Sequence, residues 1–338
     1  MERRGSGEQI IKKVYLPLTD TRPVDRGTNP ADPGASPARS KRKRVRIFGR
    51  PLGFEHWALV PLLLFLVLFT LYPMFELVRM GFSTVSPSRG EFAWEFSGLD
   101  NFYTMLGDET FRVALRNTVV FVAAAVALQL VIGTFLAVLV ERARYLSGLA
   151  RNVLVWPAII TPVVISVTWW LILNSEFGVL NYVLDAVGLP HQSWLASTTW
   201  ALPTLVVVDV WHWTPVVFLL VLAGLASIDQ TLYEAARVDG ASEWRIFWRI
   251  TLPLLAPTLA IAAMARAILG FKVFDEIFLL TNGGPGTSTE VVSTYVRDVF
   301  FEQFNMGYGA FLGITIVILL ILLFIVFSSY NLLKGRRS

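Results

Sequence analysis

The sequence predicts an all-α polytopic membrane protein with six transmembrane helices, and two observations carry that prediction. The first is composition: of 338 residues, 54% are hydrophobic and 16% are charged, where a soluble domain carries about 25% charged residues. The second is distribution. The apolar residues come in long blocks, and a hydrocarbon core about 30 Å thick needs roughly 20 of them per helix.

The blocks are Trp57–Val78, Asn117–Val140, Asn152–Leu173, Ala201–Ala226, Pro257–Leu280 and Gly309–Leu332. At 1.5 Å per residue the first reaches about 33 Å, enough to cross. Together they predict a transmembrane domain over 51–338. Pro61, Pro73, Pro157, Pro162 and Pro215 fall within spans, where proline removes a helix hydrogen bond and kinks the element. Kinked spans suit a transporter, because neighbouring helices or a water-filled cavity can satisfy the freed carbonyls. No internal repeat of the inverted-repeat carrier type is visible.

Residues 1–50 hold 13 Lys/Arg against 5 Asp/Glu, a balance of +8, while the remaining 16 Lys/Arg face 20 Asp/Glu. This basic, polar stretch reads as a disordered cytoplasmic tail. Its Lys41-Arg42-Lys43-Arg44 run is best read as an anchor before the first span rather than a nucleic-acid patch. The first apolar block begins too far in for an ordinary signal peptide. Basic loops at 141–151 and 227–252, with Lys334, Arg336 and Arg337 at the end, favour one side. The 79–116, 174–200 and 281–308 loops favour the other, so both termini are expected in the cytoplasm.

The 227–253 loop is the most informative segment. Ser227 with Gln230 forms a candidate capping box for a helix running to about Val238, which Asp239-Gly240 breaks. A second short helix, Ser242 to Ile250, groups Trp244, Phe247 and Trp248 on one face, and Pro253 starts the return to the membrane. That aromatic face has three destinations open to it: the protein's own spans, the lipid interface or a partner's groove.

Glu234-Ala235-Ala236, Gly240 after three residues, and Ile250-Thr251-Leu252-Pro253 after nine more resemble the EAA loop of ABC importer permeases. The likeness extends over about 54–333. Gly98-Leu99-Asp100-Asn101-Phe102, Asn117-Thr118, Phe177-Gly178, Asn181, Trp194-Leu195, Trp211 to Pro215 and Leu280 to Pro285 are similar to carbohydrate permeases of the maltose and glycerol-3-phosphate type. Asn282 stands where that subfamily often has glycine. The resemblance implies the six-span, MetI-like permease fold. It assigns Glu234, Ala235, Ala236, Asp239, Gly240, Ile250, Leu252 and Pro253 to coupling with a separate ATPase. It further implies a second permease subunit, with heterodimeric pairing, two ATPase subunits, an external solute-binding protein and a carbohydrate substrate. The location it implies is a bacterial or archaeal plasma membrane.

Ionisable residues inside spans are costly and are functional candidates by default. Counting 1.5 Å per residue from Pro257 puts Arg266 at about 14 Å, and Lys272 and Asp275 at about 22 and 27 Å. Asp209 and His212 share the outer half with Lys272 and Asp275. With Trp213, these four are the candidate substrate-pathway residues, since sugar hydroxyls need donors and acceptors and a sugar's apolar face packs on aromatic rings. Lys272 with Asp275 or Glu276 can equally form a helical ion pair.

No G-x-x-x-x-G-K-[ST] occurs, so no Walker-type site is expected and ATP is assigned to a partner subunit. With no cysteine, disulfides and thiolate sites are excluded. His56, His191 and His212 share no ligand spacing, and no cofactor or catalytic residue is expected. Two other classes are weighed against the importer: an ion-coupled carrier working alone, and a membrane-embedded enzyme using Asp209 or Asp275. The enzyme would need a larger soluble catalytic surface than these loops provide.

Overall fold

The structure, a computed structural model, describes residues 46–47, 50–51, 54–88, 91–142 and 147–335. The expected disordered tail, with its basic run at 41–44, lies almost wholly outside them, as do Arg336 and Arg337. The chain separates into Met1–Pro61 and Leu62–Ser338. In the first unit, β1 (Arg46–Ile47) pairs antiparallel with β2 (Arg50–Pro51).

Helix α1 (Phe54–Leu66), a π-helical turn (Val67–Leu71) and α2 (Tyr72–Gly81) form one helical run. Pro73 lies at the start of α2. Its missing N–H and its clash with the preceding turn explain why the helix widens there, with Tyr72 N–H bonding back to Val67 O. The segment after it, expected as a loop, folds as a hairpin. β3 (Ser83–Ser88) pairs with β4 (Glu91–Phe96), with Val85 opposite Trp94. Phe92, Trp94 and Phe96 alternate with Ala93 and Glu95, a strand signal present in the sequence.

Next come α3 (Asp100–Gly107) and α4 (Glu109–Arg142), the longest helix at 34 residues. The expected third span is broken. α5 (Ser147–Ile159) and α6 (Pro162–Leu173) are described separately, and the stretches Arg151–Ile159 and Pro162–Leu173 meet at 98°. Thr161, the residue before Pro162, is extended (φ −68°, ψ 146°), as the proline ring demands of its predecessor. A short α7 (Val179–Ala186) leads to α8 (Ala201–Ala226), whose bounds match the sequence expectation. Then follow α9 (Gln230–Val238), α10 (Glu243–Ile246), α11 (Leu252–Phe271), α12 (Asp275–Leu280), α13 (Val292–Arg297) and α14 (Met306–Gly335).

Among the described residues, five helical runs are long and apolar enough to cross a membrane, or six if the bent pair is one span. Among the described residues the protein is therefore helical with two small antiparallel strand pairs added. Its centre is the packing of α4 on α8. A Cβ on Gly133 would lie 2.9 Å from Val217 Cγ1 and 3.1 Å from the Phe218 backbone N, so only glycine allows this approach. Phe121, Ile165, Leu205 and Ile277 fill one end of the interior, and Ala137, Val217, Phe218 and Leu255 the other. The outer faces carry exposed Val131, Phe135, Trp156 and Ile159, as expected where lipid or another membrane subunit replaces water.

Candidate coupling hairpin and buried polar cluster

At the end of α8, Ser227 does not cap the next helix. Its hydroxyl donates back to Gly224 O at 2.7 Å. Asp229 is the N-cap instead, accepting from Thr231 N at 2.9 Å. Hydrogen bonds from Thr231 hold its carboxyl below the usual range. The expected capping box is thus replaced by a cap two residues later.

α9 ends in a Schellman motif. Gly240 N–H bonds Arg237 O at 3.0 Å and Ala241 N–H bonds Ala236 O at 2.9 Å, with Gly240 at φ +74°. That left-handed conformation favours glycine. Ser242 then caps α10, accepting from Arg245 N. α10 passes through a π-helical turn (Phe247–Thr251) into α11 without a stop. Pro253 follows that turn as Pro73 follows the first, so it marks a widened turn in one continuous helix rather than the start of a new one.

Glu243 holds this hairpin together. Its carboxylate meets Arg237 Nε of α9 at 3.1 Å and Arg142 Nη2 of α4 at 3.0 Å. Thr251 Oγ1 donates to the Tyr233 hydroxyl at 3.3 Å, and Ile246 is buried. Glu234, Ala235, Asp239 and Gly240 face outward, Val238 is 88% exposed, and Ile250 and Leu252 are half-buried. Trp244, Phe247 and Trp248 line an open groove of about 600 Å³ against Leu130, Val131 and Phe135 of α4. The aromatic face is therefore turned along the protein's own spans, although Trp244 keeps most of its surface exposed.

Deep between α4, α8 and α11 lies a polar cluster. Arg266 Nη2 donates to Asp209 Oδ2 at 3.2 Å and Arg266 Nε to Gln129 Oε1 at 2.9 Å. Gln129 Nε2 donates in turn to Asp209 Oδ2 at 2.7 Å, closing a ring of three side chains. The Arg266 guanidinium lies 4.9 Å from the Trp213 ring centre, within cation–π reach. Alongside, His212 Nδ1 faces Glu276 Oε1 at 3.1 Å and Nε2 faces Ile160 O at 3.2 Å. A carbonyl only accepts, so Nε2 carries a hydrogen, and the Nδ1–Glu276 contact requires one further shared proton. Trp213 Nε1 also donates to Glu276 Oε1, at 3.4 Å.

Of the candidate pathway residues, Asp209 and His212 are 2% and 0% exposed, and Trp213 is partly exposed. α11 ends at Phe271, so the expected span through Leu280 is interrupted. Lys272 becomes an exposed C-cap and Asp275 opens α12, partly exposed. Glu276 pairs with His212, and no ion pair forms at Lys272 among the described residues. Sequence reasoning missed Gln129, Glu243 and Arg142. Gln129, an amide in mid-span, is the one with a readable signal.

Residues 129–338 match the family described as binding-protein-dependent transport system inner membrane component. The chain is 36% identical over 275 residues to the probable ABC transporter permease protein y4oQ of Sinorhizobium fredii, covering 81% of this chain and 87% of that one. It is 36% identical over 242 residues to the trehalose/maltose transport system permease protein MalF of Thermococcus litoralis, covering 71% and 80%. A solved structure of a bacterial alginate ABC transporter in complex with alginate pentasaccharide-bound periplasmic protein superposes with a TM-score of 0.69 at 25% identity. That superposition covers 81% of this chain and 92% of that one.

Proposed function

The chain belongs to the binding-protein-dependent transport system inner membrane components, and we propose that it is a permease subunit of an ATP-driven importer of carbohydrate. In this reading it does no catalysis of its own. It forms half of a membrane pore with a second permease, two ATPase subunits drive it from the cytoplasm, and an external binding protein delivers the solute. Both termini lie in the cytoplasm of a bacterial or archaeal cell, and access alternates between the two faces.

One observation carries the reading. The hairpin with Glu234, Ala235, Ala236, Asp239 and Gly240 exposes its first helix while its second is continuous with α11. A push on α9 therefore reaches a span through the Gly240 turn, which the Arg237–Glu243 pair bridges, and the π-helical turn. The carbohydrate assignment is supported by the trehalose/maltose and alginate transporters the chain is similar to. Trp213, Lys272 and Asp275 keep surface for a passing solute, and Asp209 and His212 support that wall from behind.

The test is reconstitution of the four-subunit complex in proteoliposomes with its binding protein. Radiolabelled carbohydrate should accumulate only with ATP and binding protein together. Accumulation without ATP would show a carrier working alone.

A further inference from the structure

We propose that a cleft at the end of the helix bundle opposite the hairpin receives a neutral saccharide on its way into the pore, an inference that rests on the carbohydrate reading above. α8 separates the two ends, and its 26 residues span about 39 Å. The cleft lies where α8 begins, between the 174–196 segment and the 280–285 loop. Its volume is about 370 Å³, at the small end of the roughly 300–1,000 Å³ typical of small-molecule sites.

The chemistry of the walls narrows the ligand class. Trp170 and Trp194 provide aromatic surface, and Asn174, Ser175, Ser193 and Thr281 provide amide and hydroxyl groups. Among the described residues, no acidic or basic side chain lines the cleft. An anionic solute would be desolvated there without a counter-charge. A neutral sugar would find ring faces for its apolar side and partners for its hydroxyls. The hydroxyls of Ser175 and Ser193 are exposed and make no side-chain hydrogen bond among the described residues, so they are free to serve.

Both rims are held rigid, as a binding site requires. Asn181, 2% exposed, accepts from Trp194 Nε1 at 3.1 Å and donates to Gln192 O at 3.0 Å and Ser175 O at 3.4 Å. One buried amide thus fixes a tryptophan and a serine of the same rim. Across from it, Thr289 Oγ1 donates to Gly284 O at 2.6 Å and pairs with Thr281 Oγ1 at 2.8 Å. Asn117 Nδ2 reaches the carbonyls of Thr287 and Glu290 at 2.9 and 3.0 Å, pinning the same loop to α4.

The test uses the complete importer in proteoliposomes with its binding protein. Uptake of glucose, maltose and trehalose is measured against glycerol 3-phosphate as a charged comparator. The double variant S175A/S193A removes only two exposed hydroxyls, so it is expected to fold. It should raise the half-saturating concentration for a neutral saccharide by roughly tenfold, the effect of two lost hydrogen bonds. The affinity of the binding protein for the membrane complex, and its stimulation of ATP hydrolysis, should not change. Trp170→Phe should retain more uptake than Trp170→Ala. Unchanged uptake in the double variant would overturn the cleft alone. Loss of uptake in step with weaker binding-protein affinity would make the cleft a protein-docking surface and also overturn it. A wild-type complex that hydrolyses ATP yet takes up none of the three sugars would overturn the cleft and the carbohydrate reading together.

Discussion

Asp209 on α8 and Arg266 on α11 meet at 3.2 Å with 2% and 3% of their side chains exposed. Gln129 closes the ring from α4, so three of the long helices share one ionic junction. A buried pair of this kind adds little net stability over apolar residues of similar size, but breaking one side leaves an uncompensated charge. Asp209→Ala should therefore lower stability by about 3–5 kcal/mol. The double variant D209A/R266M should recover most of it. Thermal unfolding in detergent micelles distinguishes the two, and equal losses in both would remove the pair from its structural role.

Gly240 allows a sharper prediction, because nothing beyond its own chain neighbours lies within 4 Å of the place a Cβ would occupy. Space is therefore not the constraint, and the φ of +74° is. Asn, which tolerates the left-handed region, should retain most uptake. A β-branched Val should lose it, with a local cost of about 1–2 kcal/mol, while membrane insertion is unaffected. Transport assays on the two variants, with membrane levels measured by blotting, check this. Equal activity of Val and Asn would mean the turn geometry is not needed for coupling.

The Glu243 carboxylate ties Arg142 of α4 to Arg237 of α9. All three side chains are about half exposed, and surface pairs contribute roughly 0–1 kcal/mol. Glu243→Gln should thus barely change the unfolding temperature. It should instead raise the ATP hydrolysed per solute carried, because α9 is no longer tied to the end of α4. Glu243→Asp, which keeps the charge facing Arg142 and Arg237, should retain part of the coupling.

A fourth prediction concerns acid. Asp108 accepts from the hydroxyls of Tyr295 at 2.5 Å and Tyr308 at 2.6 Å, joining the start of α4 to α13 and α14. Burial acts to raise its pKa, but those hydroxyls and the N–H groups of Phe111 and Thr110 outweigh it and hold the carboxyl below its ordinary 3.8. The contribution is therefore complete above the unfolded value and lost as pH falls through the lower folded one. Unfolding temperature should drop below about pH 4. Asp108→Asn should remove that part of the acid dependence and cost about 1 kcal/mol near neutrality.

Much of the fold was legible because hydrophobic block length is a direct physical demand of the bilayer. α8 began and ended where its apolar block does. What was not legible lay in pairings across the chain. Gln129 and Asp209 are 80 positions apart, and no local pattern announces their contact. Counting depth along an unbroken helix puts Lys272 in the outer half with Asp209, and the break after Phe271 makes it an exposed C-cap instead. The kink expected at Pro162 is a turn of 98°, while Pro253, expected to start the return to the membrane, only follows a widened turn in one continuous helix. In the hairpin the glycine break was readable from Asp239-Gly240, whereas the cap moved from Ser227 to Asp229 because Ser227 spends its hydroxyl on Gly224.

The proposal that an ATPase presses on the α9–α10 hairpin is most directly tested by site-directed cross-linking. The chain has no cysteine, so Val238→Cys places a single thiol at the exposed end of α9. In the assembled complex this thiol should cross-link to the ATPase subunit with a yield that changes when ATP binds. Ser193→Cys, at the opposite end of the bundle, should give no such product. Absence of any Val238→Cys product in a complex that imports solute with ATP would contradict the coupling assignment.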